Sequence, residues 1–211
     1  MKITAVTGFY DIGRGSYDSR GPEKYISWLN RTLRAPLPFL SFHVAEYGMI
    51  VMSKLDLLKR AARETDADQL VWIDAGHSRL MPDLEGKTLK VTEADFAGMN
   101  FGVYTTFHLS QRMRIGKFPR RMVGTTLAMM SAADFIVARS FAEELSDRMD
   151  FMVQTQWLPA GLWDNEQMAI GTLLFRQALP GARIMRTHVG GGSNAVSWLF
   201  GLPPDARKPP L

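Results

Sequence analysis

Residues 4 to 21, TAVTGFYDIGRGSYDSRG, begin as a strand and then break into Gly8, Phe9, Tyr10, Asp11, Ile12, Gly13, Arg14 and Gly15. A strand that ends in a glycine, two aromatics, an acid and a base has the groups to hold a ligand rather than only to turn the chain. Three further stretches carry chemistry. In VWIDAGHSR, residues 71 to 79, Asp74 stands at the tip of an apolar run and Gly76 lets a ligand approach the backbone, which suits a phosphate, a ribose hydroxyl or a divalent cation. A plain turn cap accounts for the same Asp74, and a structural role for His77, which is otherwise a ligand or general acid. In LWDNEQMA, residues 162 to 169, Asp164 and Glu166 fall at the start of a helical pattern, where the helix dipole favours carboxylates. They are caps, or one of them binds a sugar hydroxyl or acts as a general base. In RTHVGGGSN, residues 186 to 194, His188 precedes three glycines; imidazole can bind a metal while glycine amides approach phosphate oxygens, or the run is a hinge.

The elements that must position these residues follow from periodicity. KITAVTGF is a β-branched alternating strand, PEKYISWLNRTLR an amphipathic helix opened by proline, LPFLSFHV a second strand, MIVMSKLDLLKRAARET a second helix and DQLVWIDAG a third, buried strand. The β-α-β-α-β order predicts an α/β fold with a mostly parallel central sheet and helices on both faces. In such sheets ligands bind beyond the carboxyl ends of the strands, which places Gly8 to Gly15 and Asp74 to Arg79 on one edge. The second half reads as a strand in MNFGVYTTF, a strand followed by a turn in GTTLAMMSAADFIV, and an amphipathic helix in SFAEELSDRMDFMVQ. A helix in WDNEQMAIGTLLFRQALP, with Asp164 as N-cap and Gln167 three residues on, precedes a last strand in GARIMRTHVGGG that ends in His188. Trp157, Leu158, Leu162 and Trp163 either line an acceptor cleft or pack the core, and their closeness to the acidic pair favours the cleft.

The 211 residues predict a single domain over residues 1–201 and a flexible Pro-rich tail over 202–211. With 46% hydrophobic and 22% charged residues the composition is that of a globular protein. The net charge of +4 fits an anionic ligand, nucleic acid or an acidic membrane surface, and Arg112, Arg114, Lys117, Arg120 and Arg121 cluster in QRMRIGKFPRR. Zero cysteines exclude disulfides, thiolate metal sites and a cysteine nucleophile. No apolar run reaches membrane-spanning length and no leader pattern opens the chain. A cytoplasmic location is expected, with peripheral attachment at the inner face of the membrane left open. GxGxxG after the first strand, GxxxxGK[ST], GxSxG, HExxH and EF-hand patterns are all missing from the sequence.

Together, TAVTGFYDIGRG with SRGPEKYISW, VWIDAGHSR and WDNEQMAIGTLLF resemble the bacterial HtrL/YibB-like (WlaTC-type) proteins, which belong with GT-A-fold nucleotide-sugar glycosyltransferases. The resemblance runs to about Gly201. It implies a GT-A-like domain with a Rossmann-like nucleotide-binding N-terminal half, and a donor site of Thr7, Gly8, Phe9, Tyr10, Asp11, Arg14, Arg20, Asp74, Gly76 and Arg120. The aromatics would flank the base, the acid would take a ribose or amide hydrogen bond, and the arginines would meet the diphosphate, UDP being the expected nucleotide. The metal-binding acid pair of the family falls on Asp74-Ala75-Gly76, where the second acid is glycine. Asp74 and His188 would then share Mn²⁺ or Mg²⁺, or His77 would replace the missing acid, or the basic cluster would neutralise the diphosphate without a metal; the first is preferred. Asp164 or Glu166 would be the catalytic acid pair's base, or would stabilise the charged sugar. The expected reaction moves a hexose from a nucleotide diphosphate sugar to a hydroxyl of a glycan or lipid-linked acceptor in bacterial surface glycan synthesis. The alternatives are a nucleotidyltransferase, a non-catalytic nucleotide-sugar or nucleic-acid binding module, and a glycosyltransferase acting on DNA.

Overall fold

Strand segments that are apolar past their first residue, such as QLVWI and DFIVA, must be covered on both faces, and the fold buries every position of both. The computed structural model describes residues 1–9, 27, 34, 37–43, 53–74, 84–105, 134–160, 166–176, 179–186 and 194–202. Their elements are β1 (Ile3–Phe9), β2 (Phe39–His43), α1 (Lys54–Glu64), β3 (Gln69–Ile73), β4 (Phe101–Thr105), β5 (Asp134–Ala138), α2 (Ala142–Met152), α3 (Glu166–Arg176), β6 (Ala182–Arg186) and α4 (Asn194–Leu199). Period-2 alternation divides the strand side chains between two cores. On one face Val6, Leu70, Trp72, Phe101, Phe135 and Val137 pack with Leu55 and Leu58 of α1, Leu145 and Met149 of α2, and Ile170 and Leu173 of α3. On the other, Ile3, Ala5, Val71, Ile73 and Ile136 pack with Leu84, Phe96 and Met99 and with Ala195, Val196 and Leu199 of α4. The result is a three-layer α/β arrangement. Among the described residues no helix is long and apolar enough to cross a membrane.

The six strands lie in the order β2-β1-β3-β5-β4-β6. β1 pairs in parallel with β2 and with β3, and β4 with β6, whereas β5 runs antiparallel to both its neighbours. The sheet is thus mostly parallel, as the element order predicts, with one reversed strand. That reversal pairs Ile73 with Asp134, so β5 begins where β3 ends.

Several expectations change in detail. In the segment read as a strand followed by a turn, Asp134–Ala138 is a strand, and residues 124–133, where the first strand is expected, lie outside the described residues. The single helix expected over 140–154 is a 3₁₀ turn at Arg139–Phe141, α2, and then a π-helical turn at Val153–Trp157. Thr155 Oγ1 donates to the Phe151 carbonyl at 2.6 Å, competing with the main-chain ladder, and Pro159 two residues past Trp157 brings no amide donor. In an α-helix five residues would turn Trp157 well away from the buried face of Met152; the wider winding brings it round. Trp157 therefore belongs to the first core at 9% exposure and does not line a cleft, whereas Leu158 is exposed. Leu162 and Trp163 lie outside the described residues. The last strand is described over Ala182–Arg186, His188 lies outside the described residues, and α4, which periodicity did not reveal, follows at Asn194–Leu199. Of the first expected helix only Ser27, which is helical, and Arg34 are described.

Candidate functional site at the strand ends

From β1 the chain crosses to β2 on one side and then returns past β1 to β3 on the other, so the connections diverge at β1. Such a switch point opens a crevice at the carboxyl ends of the parallel strands. Gly8 and Phe9 end β1 there, in register with Phe42 and His43 of β2. Asp74 follows β3 directly, while Lys54 and Glu166 are the first residues of α1 and α3.

Three of these residues meet. Lys54 Nζ lies 2.9 Å from Asp74 Oδ1, 3.0 Å from its Oδ2 and 2.8 Å from Glu166 Oε1. Trp72 Nε1 donates to Asp74 Oδ1 at 2.6 Å, and Lys54 Nζ stands 5.8 Å from the Trp72 ring centroid. Strand geometry explains the indole contact, because residues two apart share a face. The lysine and glutamate side chains are 4% and 11% exposed and that of Asp74 is 29% exposed, so the cluster is rooted in the first core and reaches solvent through Asp74.

A lysine at the first position of a helix sits against the positive end of the dipole, where an acid is favoured. The Ser53 side chain makes no cap hydrogen bond that would offset this. Two carboxylates make the placement stable, and Glu166, at its own helix start, agrees with the dipole. The local rule is broken where a tertiary cluster needs the charge. Replacing Trp72 by phenylalanine removes the indole donor to Asp74 together with part of a fully buried ring. It is expected to cost about 1.5–3 kcal/mol, the worth of a hydrogen bond to a charged group, read as a lowered urea midpoint. A cost below that of a simple aromatic swap would show that the indole does not hold Asp74.

The same edge carries a further carboxylate on the opposite face. Asp134, fully buried at the start of β5, accepts a 2.7 Å hydrogen bond from the amide of Ala195 and so ties the first turn of α4 to the sheet. Thr7 is also fully buried, and its hydroxyl has no hydrogen-bond partner among the described residues.

Of the residues singled out in the sequence, the fold therefore joins Asp74 and Glu166, through Lys54, and puts the end of β1 beside them in the sheet. Tyr10, Asp11, Arg14, Arg20, Gly76, His77, Arg120, Asp164 and His188 lie outside the described residues, as do Arg112, Arg114, Lys117 and Arg121. Lys54, Trp72 and Asp134 escaped sequence reading. For Trp72 the one local signal is its i−2 spacing from Asp74; Lys54, which the sequence pattern places inside a helix beginning at Met49, and Asp134 give none. As to a divalent cation, no group of three or more His, Asp or Glu among the described residues is placed to hold one. Both oxygens of Asp74 accept from N–H donors, and the Lys54 ammonium stands within 3.0 Å of each. The described donor set does not fit a metal ion.

No protein-family model matches the chain, and no curated protein matches it. Among solved structures it is similar to a glycosyltransferase involved in the glycosylation of the major capsid of PBCV-1, over 88% of this chain and 82% of that one, at 10% identity and a TM-score of 0.49. It is also similar to the glycosyltransferase GlyE of Streptococcus pneumoniae TIGR4, over 87% of this chain but 45% of that one, at 7% identity and a TM-score of 0.42. Both are distant likenesses of chain path.

Proposed function

We propose that the chain is a nucleotide-sugar-dependent glycosyltransferase of the GT-A kind, related to the HtrL/YibB-like proteins, that moves a sugar to an acceptor hydroxyl. The observation that carries this reading is the meeting of Asp74 and Glu166, from a strand end and a helix start, on one buried ammonium at the switch point of a mostly parallel sheet. Oriented carboxylates at such an edge are suited to hydroxyl-rich ligands, since an ionised carboxylate accepts from several O–H groups at once. Asp74, the more exposed, takes a hydroxyl of the donor; Glu166 lies nearer the core and faces the acceptor. In the transfer the bond from the anomeric carbon to the diphosphate oxygen breaks and one to the acceptor oxygen forms. The acceptor's proton passes to the Glu166 carboxylate, and the bonding electrons leave with the nucleoside diphosphate. Phe9 and Tyr10 would flank the base, Asp11 would bind ribose or an amide, and Arg14, Arg20 and Arg120 would meet the diphosphate. A glycan or lipid-linked acceptor of a bacterial surface polymer, met at the inner face of the membrane, suits this chemistry.

The test is a thermal-shift screen against UDP, GDP, CDP, dTDP and their common sugars. One nucleotide sugar is expected to stabilise the protein, by about 2.7 kcal/mol at a hundred times its Kd, and Asp74→Asn is expected to remove the shift. No shift with any of them at millimolar concentration, or salt-sensitive binding to duplex DNA in their place, would sink the reading.

A further inference from the structure

We infer that the ammonium of Lys54 occupies the cation position between Asp74 and Glu166, so that Asp74 serves the donor without being a metal ligand. The inference rests on the transferase reading only for the nature of the donor; the cation position itself is a matter of geometry.

The three contacts, at 2.8, 2.9 and 3.0 Å, are the lengths of charge-assisted N–H···O bonds. Divalent cations take carboxylate oxygens at about 2.0–2.6 Å. A metal ion joining Asp74 would stand beside a fixed positive charge. At Oδ1 it would have to displace two donors, Trp72 Nε1 and Lys54 Nζ, and at Oδ2 it would compete with the same ammonium. Lys54 cannot simply swing aside, because the helix it opens is anchored in the core by Leu55 and Leu58, both essentially buried, and Lys54 itself is 3% exposed. The residue two places after Asp74 is glycine, so no second acid follows it on the strand end to outbid the lysine. The family resemblance implies Asp74 with His188 as ligands of Mn²⁺ or Mg²⁺; the ammonium held against both oxygens of Asp74 speaks against its half of that pair.

Removing the ammonium while keeping both carboxylates should turn the cluster into a cation site. The experiment measures Mn²⁺ binding to the full chain by isothermal titration calorimetry, without nucleotide, in the wild type, Lys54→Met, Lys54→Arg and Asp74→Asn proteins, with melting temperatures in parallel. The expected result for the wild type is no Mn²⁺ binding, or binding that Asp74→Asn leaves unchanged. Lys54→Met is expected to gain a Mn²⁺ site and to recover melting temperature when Mn²⁺ is added, and Lys54→Arg to do neither. Wild-type binding that Asp74→Asn abolishes overturns the inference. So does a Lys54→Met protein that Mn²⁺ does not stabilise, whether it is folded or unfolded at the outset. A second arm repeats the binding of the stabilising nucleotide sugar in excess EDTA. Unchanged affinity supports a donor site without a metal at Asp74, and an affinity that falls in EDTA and is restored by Mn²⁺ in the wild type but not in Asp74→Asn overturns it. If no nucleotide sugar binds under any condition, the transferase reading falls, and the Mn²⁺ titrations still decide the place of Lys54.

Discussion

Replacing Lys54 by methionine is expected to destabilise the protein by about 3–5 kcal/mol, the cost of removing one partner from a buried ion pair. Methionine preserves most of the stem, so the loss is that of the charge and not of a cavity. Asp74 and Glu166 would then face each other without the ammonium that lies 2.9 and 2.8 Å from them. At the roughly 5 Å separation that such contacts imply, two carboxylates repel by roughly 3 kcal/mol at an effective dielectric near 20. For a chain of this length each kcal/mol lowers the melting temperature by about 2–4 °C, so a drop on the order of 10 °C should be read. Neutralising the acids as well, in Lys54→Met/Asp74→Asn/Glu166→Gln, should return much of the loss, because a buried charge left unpaired is what costs most. A single-variant loss below about 1 kcal/mol, the range of exposed pairs, would show that water already screens the cluster.

The parts of this arrangement that the sequence disclosed are the local ones. QLVWI, residues 69–73, reads as a buried strand because both its faces are covered and every residue is apolar or at the margin, and the acid that follows marks where the strand stops. Glu166 was visible for the same kind of reason, as an acid where a helical pattern begins. The direction of β5 left no trace, since DFIVA is buried on both faces and reads alike in either direction. Trp157 is buried, not in a cleft, because its closeness to the acidic pair in sequence says nothing of the π-helical turn that carries it past the expected helix end at Gln154 and into the first core, an effect of hydrogen bonding around Phe151 and Thr155 that hydrophobic periodicity does not register. Lys54 looked like an ordinary base on an amphipathic helix. Its meaning lies in a residue 112 positions away, and a contact of that range follows from the fold and not from spacing.

Glu166→Gln is expected to slow sugar transfer by about 10²–10⁴-fold, the usual contribution of a positioned general base, while donor affinity stays within a few-fold of the wild type. In free energy this is about 2.7–5.4 kcal/mol of the barrier, at 1.36 kcal/mol for each tenfold. The substitution isolates the proton transfer from the architecture. A glutamine carbonyl can still accept from Lys54 Nζ, now 2.8 Å from Glu166 Oε1. Lys54 also keeps both contacts to Asp74, so the fold should lose only the difference between a charged and a neutral acceptor, about 1 kcal/mol. Donor binding is preserved because the reading assigns the donor to Asp74, which reaches solvent, and the acceptor to Glu166. Asp74→Asn should show the opposite pattern, with donor affinity lost first. Rates measured at saturating donor separate the two effects. A Glu166→Gln enzyme that transfers sugar within about threefold of the wild type would move the base to Asp164 and leave Glu166 as the residue that, with Lys54, holds Asp74 in place.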